Sequence, residues 1–295
     1  MTYPTLSKQL AADDIVVAPG IYDAFSATSA ERAGFQSAYL SGASIAYCRF
    51  GRPDIGLVSM NEVAETVLTI RERVDMPLMV DADTGFGNAL NVQRTVRLFE
   101  RCGANALQIE DQSMPKRCGH LKGKLLVAPE EVVGKIKAAT DARLSEETLI
   151  IARTDAIAVE GFSAAMDRAE MFVEAGADIL FIEAPQDIDQ MKILTSHFKG
   201  RIPLLANMVE GGLTPMHDAQ SLQDMGYKVV IFPGGLVRAR ARMEQDYFAN
   251  LKATGWNEPF RDRMLDVTQL NDLLGTDQML DDGGRYDAEN FKTKK

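Results

Sequence analysis

PLMVDAD (residues 77–83) and NALQIED (105–111) decide the fold. Each is a short apolar run that ends in acidic residues, and the stretch between them closes on ERCGA. The same unit recurs along the chain. Apolar, β-branched runs stand at 15–20 (IVVAPG), 36–42 (QSAYLSG), 148–155 (TLIIARTD), 178–184 (DILFIEA), 202–208 (IPLLANM) and 228–234 (KVVIFPG), with turn signals after them. Amphipathic stretches such as NEVAETVLTIRERVD and SAAMDRAEMFVEAG fill the gaps. Four of these helices close on ERAGF, ERCGA, VEAGA and QDMGY, where each glycine suits the left-handed position just past a helix end.

Strands that alternate with helices pair in parallel through right-handed crossovers. Runs that are apolar throughout are covered on both faces. Eight such units fit a closed barrel better than an open doubly wound sheet, and no GxGxxG follows the first strand. The expected fold is therefore an α/β (β/α)8 TIM barrel over residues 1–255. Residues 256–295, in which acidic clusters alternate with few large apolar side chains, read as a C-terminal helical extension, a short helix followed by a mobile end at FKTKK.

The formal net charge of −10 over 295 residues disfavours binding to nucleic acid. No apolar run approaches the roughly 20 residues needed to span a bilayer, and the N-terminus has neither the basic nor the apolar part of a signal peptide. The expectation is a cytoplasmic protein whose partner is a small molecule. Cys48, Cys102 and Cys118 show no metal-ligand spacing and form no disulfide framework, which fits a reducing compartment.

In this architecture the C-terminal ends of the strands converge on the active-site face. Ser41, Asp81, Asp83, Glu110, Arg153, Glu183 and Asn207 would then ring one cavity. Crowded carboxylates raise one another's pKa unless a cation sits among them. Asp81, Asp83 and Glu110, with Asp54 from the loop PDIG, form an oxygen-only set that suits Mg2+ or Mn2+ and not zinc. The glycines of DADTGFGN (81–88) and NMVEGGLTP (207–215) serve either close approach to a ligand or turn chemistry. Arg153 either grips a carboxylate through two parallel hydrogen bonds or holds the barrel mouth through an ion pair with Asp155 or Glu183.

Between Glu110 and a helix expected at 129–142 lies QSMPKRCGHLKGKLLVAPE, long for a βα loop. Loops over a barrel mouth carry function more often than packing. Its positive charge suits closure over an anion. Lys116, Arg117 and His120 around Cys118 would lower the thiol pKa from about 8.5 toward neutrality, the range a proton donor or acceptor needs. Cys102, in RLFERCGA, reads as a buried small hydrophobe. Cys48 either lines the cavity or packs, and His217 receives no role.

The run Lys-Arg-Cys-Gly-His at 116–120, with DADTGFGN, IEDQ (109–112) and ARTDA (152–156), resembles the isocitrate lyase/phosphoenolpyruvate mutase superfamily over nearly the whole chain. The closest-looking branch contains 2-methylisocitrate lyase, 2,3-dimethylmalate lyase and carboxyphosphonoenolpyruvate phosphonomutase. The resemblance implies a barrel whose last helix is exchanged between subunits, usually in a homotetramer (a dimer of dimers), a Mg2+ site and a gating loop. It implies that Asp81 binds the metal, with Asp54, Asp83 and Glu110 holding its waters, and that Cys118 is the acid–base residue, with Arg153, Glu183 and His120 also in catalytic roles. Ser41, Gly42, Ala43, Gly119, Asn207, Glu210, Thr214 and Pro215 would bind or shape the substrate.

The implied reaction is cleavage of a substituted 2-hydroxy di- or tricarboxylate to an α-keto acid such as pyruvate. The alternatives are a phosphonomutase acting on a P–C bond and, further off, an oxaloacetate decarboxylase or hydrolase. Two departures bear on this. Glu210-Gly211-Gly212-Leu213-Thr214-Pro215 stands where methylisocitrate lyases read Glu-Phe-Gly-x-Thr-Pro, which removes an apolar wall and enlarges the pocket. Pro233 stands where oxaloacetate acetylhydrolases resemble one another in having Ser. Oxaloacetate decarboxylases of the superfamily lack the Cys loop, so Cys118 counts against them.

Overall fold

A computed structural model describes residues 3–291 apart from His120 and Lys122. Eight parallel strands close into a barrel in sequence order: β1 (Val16–Ile21), β2 (Ala38–Leu40), β3 (Leu78–Asp81), β4 (Ala106–Glu110), β5 (Leu149–Thr154), β6 (Ile179–Ile182), β7 (Leu204–Asn207) and β8 (Val229–Phe232). The seam is β1 against β8, from Val16↔Val229 to Pro19↔Phe232. Every expected strand is present, seven within the expected stretch and β1 running one residue beyond its expected end, to Ile21.

A short helix α1 (Leu6–Ala11) precedes the barrel. The connections carry α2 (Ala24–Arg32), α3 (Gly42–Phe50), α4 (Met60–Arg71), α5 (Ala89–Cys102), α6 (Pro129–Ala142), α7 (Phe162–Glu174), α8 (Ile188–Phe198) and α9 (Ala219–Met225). Helix α5 illustrates why these segments are helical. The Asn88 side chain accepts from the N–H groups of Leu90 and Asn91, and Gly103 ends the helix at φ +102°. Val92, Thr95, Val96, Phe99 and Cys102 are buried along one stripe, the three-to-four-residue period of a helix packed on a sheet. Gly34, Gly176 and Gly226, from the other three closing sequences, also have positive φ.

Strand alternation connects the core to the mouth. Met79, Ala106, Ile151, Phe181 and Leu205 belong to the cluster that fills the barrel, together with Leu6 of α1. Side chains two residues apart on a strand point the same way. The next inward positions are therefore Asp81, Gln108, Arg153, Glu183 and Asn207. The pleat that packs the interior thus delivers the polar ring at its C-terminal end.

The chain divides into two compact units, residues 1–238 and 239–295. Helix α10 (Gly235–Thr254) is followed in the second unit by α11 (Val267–Leu274) and α12 (Thr276–Gly284). The expected single short helix is two because Asp266 and Gln269 form a capping box and Gly275 stops α11 at φ +72° before α12 begins. Of FKTKK, only Phe291 lies within the described residues. Among the described residues no helix is long and apolar enough to cross a membrane.

The seam gives a sharp test. A Cβ at Gly20 would stand 2.3 Å from the Pro233 carbonyl oxygen, whereas one at Gly34 meets nothing within 4 Å. Gly20→Ala should cost about 1–3 kcal/mol through overpacking of backbone on backbone, and Gly34→Ala, at φ +89°, about 1 kcal/mol of strain. Urea denaturation of both variants checks the order; a Gly20→Ala variant as stable as the parent contradicts the close approach.

Candidate active site

The acidic side of the mouth is built on β3 and β4. Asp81 Oδ1 accepts from the Asp83 N–H at 3.1 Å and from Gln108 Nε2 at 3.3 Å. The buried Tyr39 hydroxyl donates to Gln108 Oε1 at 2.9 Å, which turns the Gln108 amide donor toward Asp81. A residue at 42 bearing Cβ would sit 3.2 Å from Asp81 Oδ2, so glycine lets the start of α3 approach this carboxylate. Ser41 caps α3 and accepts from the Ser44 N–H at 3.2 Å. The first N–H groups of a helix lack intrahelical acceptors, and this helix start stands beside Asp81, with Ser41 and Ala43 in the cavity lining.

Asp83 adopts φ +47°, which turns its carboxylate toward the Cys118 loop. There Lys116 Nζ lies 2.6 Å from Asp54 Oδ1 and 2.7 Å from Asp83 Oδ1, with the lysine side chain 4% exposed. Besides standing two residues from the thiol, Lys116 thus has its charge engaged by two carboxylates. The ring has no lysine beside it in sequence, yet the loop delivers one. Burial still pushes the Asp83 carboxyl up to about 7, against the pull of Lys116. Burial likewise lifts Glu110 well above the usual carboxylate range despite Arg153, and Glu110 Oε1 is a buried oxygen with no hydrogen-bond partner.

The cationic side is built on β5 and β6. Arg153 Nε lies 2.9 Å from Asp155 Oδ2 and 3.3 Å from Glu110 Oε2, and Nη2 lies 3.1 Å from Glu183 Oε2. Its guanidinium also stacks over Phe181, 4.9 Å from the ring centroid. Both partners that sequence analysis named for Arg153 are therefore present, with Glu110 as a third. Asn207 Nδ2 donates to Glu183 Oε2 at 3.0 Å. Burial would raise Asp155, but Arg153 and Lys124 outweigh it and hold the carboxyl down to about 2. Behind it, burial and the Asp155 charge push Asp111 up to about 6.

These groups surround a cavity of about 60 Å3 lined by Ser41, Ala43, Asp54, Asp81, Glu110, Cys118, Gly119, Arg153, Glu183 and Asn207 among others. That is small beside the roughly 300–1,000 Å3 of typical ligand pockets, and the Cys118 loop forms part of its wall. Gly42 and Asp83 stand directly behind the lining. Cys118 is fixed through its N–H to the Asp54 carbonyl at 3.2 Å. Cys102 is buried in the core, as expected, and Cys48 packs against it. His120 lies outside the described residues.

Besides Gly42, three expected substrate contacts do not line the cavity. Glu210 turns outward to Arg238 at 2.7 Å, with 48% of its side chain exposed. Thr214 is buried behind β6 and β7, lining a void of about 10 Å3 shared with Glu183 and Asn207. Pro215 follows it, half-buried and away from the cavity. The chain leaves the mouth after Val209, so position in the loop after β7 did not translate into position in the site. Conversely Tyr39, Tyr47, Pro233 and Arg238 line the cavity without having been expected to bind. For Tyr39 the inward register of β2, two residues before Ser41, was the available signal.

Residues 6–252 match the family described as phosphoenolpyruvate phosphomutase. The chain belongs to this PEP mutase/isocitrate lyase family. It is 47% identical to the 2-methylisocitrate lyase of Aeropyrum pernix over 89% of this chain and 83% of that protein. It is 40% identical to the 2,3-dimethylmalate lyase of Eubacterium barkeri over 94% and 96%. A solved oxaloacetate acetylhydrolase complexed with the inhibitor 3,3-difluorooxalacetate superposes with TM-score 0.90 at 30% identity, covering 96% of this chain and 97% of that one. A phosphonopyruvate hydrolase complexed with oxalate and Mg++ superposes with TM-score 0.85 at 30% identity, covering 95% and 97%.

The Asp155 shift carries a pH signature. Its folded pKa of about 2 lies below an unfolded value of about 3.9, so its stabilising contribution is complete above about pH 4 and fades as pH falls through 2. The stability gap between the parent and Asp155→Asn should therefore narrow between pH 4.5 and 2.5, read from urea midpoints at each pH. A gap that stays constant over this window contradicts the ion-pair assignment.

Proposed function

We propose that this protein is a divalent-metal-dependent carbon–carbon lyase, with Mg2+ as the resident ion and Mn2+ able to replace it. Its substrate is a substituted 2-hydroxy dicarboxylate or tricarboxylate of the 2,3-dimethylmalate or 2-methylisocitrate type. The observation that carries this reading is the split mouth, an oxygen-only carboxylate cluster facing a buried arginine, with a thiol on the loop above both. The lyase relatives at 40–47% identity over most of the chain support it.

The fit of a divalent ion rests on the donor set. Asp54, Asp81, Asp83 and Glu110 offer only hard oxygens, and Glu110 Oε1 is buried without a partner. Among the described residues no three His, Cys, Asp or Glu side chains are arranged to hold a metal ion directly. Mg2+ suits such a site because it keeps several waters and takes one or two protein carboxylates. Asp81 would be the direct ligand, and Asp54, Asp83 and Glu110 would hold its waters. When bound, the ion would acidify a 2-hydroxyl and offset negative charge on the keto-acid fragment.

The chain's own groups do the rest. Arg153 presents a guanidinium already oriented by Asp155, Glu110 and Glu183, and offers it to the substrate carboxylate. Ser41 and the N–H groups of Gly42 and Ala43 receive the carboxylate of the second fragment, whose charge grows as the C–C bond breaks. The 2-hydroxyl gives its proton to water and its oxygen forms the keto C=O as the bond's electron pair passes to the carbon next to that carboxylate. Cys118 donates the proton that completes it and is reprotonated from solvent. In the condensation direction Cys118 removes the same proton. Asn207 steadies Glu183 beside the site, Gly119 lets the loop backbone lie on Arg153, and His120 follows it in the loop. Glu210, through Arg238, and the Thr214–Pro215 turn act on the pocket from outside its lining.

A P–C bond mutase shares the metal and loop chemistry and is the second reading, since the family description itself names a phosphomutase. Hydrolysis of oxaloacetate fits less well. Pro233 lines the cavity without a hydroxyl, and its carbonyl already accepts from Ser44 Oγ at 3.0 Å.

In the cell we place the enzyme in the cytoplasm as a homotetramer. Helix α11 buries none of its residues, and Val267 is 78% exposed, which favours cover by another subunit. Light scattering coupled to size exclusion should give four chains per particle; a monomer at micromolar concentration contradicts the assembly.

With Mg2+ and 2,3-dimethylmalate or 2-methylisocitrate, pyruvate should form, and chelation should stop it. Cys118→Ser should lower turnover about 10²–10⁴-fold with oxalate and metal binding retained, whereas Asp81→Ala should weaken metal binding itself. Rearrangement of a phosphonate with no turnover of either hydroxy acid moves the assignment to the mutase, and full activity after exhaustive chelation removes the metal.

A further inference from the structure

Cys118 lies between two buried lysines, Lys116 and Lys124, and each leaves the loop to enter a different part of the barrel mouth. Lys116 reaches Asp54 and Asp83. Lys124 Nζ donates to the Gly119 carbonyl and lies 2.7 Å from Asp155 Oδ1, with the lysine side chain 2% and the aspartate side chain 0% exposed. Taking an ammonium this far out of water costs several kcal/mol unless a carboxylate and further hydrogen bonds offset it. Both are supplied here, and only with the loop lying on the mouth.

Three contacts tie this lysine to the reacting groups. Asp155 Oδ1, the oxygen that receives Lys124, also accepts from Arg153 Nη2 at 3.1 Å. The backbone next to Cys118 is pressed onto the same arginine: a Cβ at Gly119 would stand 2.3 Å from Arg153 Nη2 and 2.8 Å from Glu183 Oε2. Finally, Asp155 is held from behind, because its N–H donates to Asp111 Oδ1 at 2.9 Å. The Asp111 carbonyl in turn accepts from Val127 N–H at 3.0 Å, where the loop returns beside the Gln112↔Leu126 bridge. Base, tip and cationic wall of the site thus meet at one carboxylate.

We propose that Lys124 is a positioning residue that registers Cys118 against Arg153. By joining the Gly119 carbonyl to Asp155, it fixes the peptide that follows the thiol on the guanidinium that holds the substrate. One carboxylate then sets both the proton donor and the anion clamp. Lys124 touches no reacting atom, so its removal displaces the thiol without removing a binding group. Misplacement of this kind, of about 1 Å, costs on the order of 10²-fold in rate. The kinetic consequence rests on the lyase reading; the structural one does not.

The test uses the full-length Mg2+ enzyme and Lys124→Met. Hydrogen exchange of the amides in 113–127 should accelerate about tenfold or more, the signature of a segment opened by local rather than global unfolding, while β3 to β7 stay protected. Turnover should fall about 10–100-fold with the oxalate dissociation constant within about threefold, the span of half a pKa unit in free energy. Lys124→Arg, which can still bridge the carbonyl and Asp155, should restore part of both. If Lys124→Met does not fold, Lys124→Gln, which drops the charge and keeps a donor, takes its place. Unchanged loop exchange, or deprotection spread evenly over the barrel, overturns the proposal whatever the activity. An inactive parent enzyme with selective loop deprotection in the variant would instead keep the latch and sink the lyase reading.

Discussion

Negative charge at the barrel mouth is the constraint on which the rest of the structure turns. Asp54, Asp81, Asp83, Glu110, Asp155 and Glu183 converge there, all buried except the half-buried Asp81, while Lys116, Lys124 and Arg153 are the buried cations that face them. Among the described residues these carboxylates outnumber the buried cations two to one. An uncompensated buried charge is answered by a counter-ion or by a proton, and both answers are visible. Asp155, which meets both Arg153 and Lys124, is held down to about 2, whereas Asp83 is driven up to about 7 by burial. The excess lies on the β3–β4 side, where a hard divalent cation would remove it.

The same constraint explains the Cys118 loop. A long, basic, glycine-containing segment above an acidic cavity has somewhere to put its charges only when it lies on the mouth. Lys116 and Lys124 enter from opposite sides of Cys118 and make that position specific. The cavity beneath is small and walled in part by this loop, so the loop's position sets the room left for substrate. Lys116 occupies the space between Asp54 and Asp83, which links the loop's position to the cation content of the ring.

Most of the barrel and most of the ring were legible in the sequence because both obey short-range periodicity. The pleat that buries Met79, Ile151, Phe181 and Leu205 places Asp81, Arg153, Glu183 and Asn207 two residues on, and four helix-ending glycines mark where each strand follows. What escaped was set by longer-range geometry. Nothing within the loop says that Lys116 folds onto Asp54 and Asp83, the nearer of them more than thirty residues away in sequence, or that Lys124 meets Asp155. After β7 the chain departs from the mouth at Val209, so Glu210 and Thr214, which a loop-by-loop reading puts in the pocket, end on its outer face or behind its wall. The paired α11 and α12 were missed for a local reason, a capping box at Asp266 and a stop at Gly275 inside an acidic, weakly apolar stretch.

The relation between charge excess and cation is measurable without any substrate. A ligand that binds only the folded state raises its stability by mass action, so the denaturation midpoint of the chelator-treated protein should rise as Mg2+ is added back, and Asp81→Ala should lose most of that rise. A midpoint indifferent to millimolar Mg2+, or raised equally in Asp81→Ala, would contradict a cation-centred mouth.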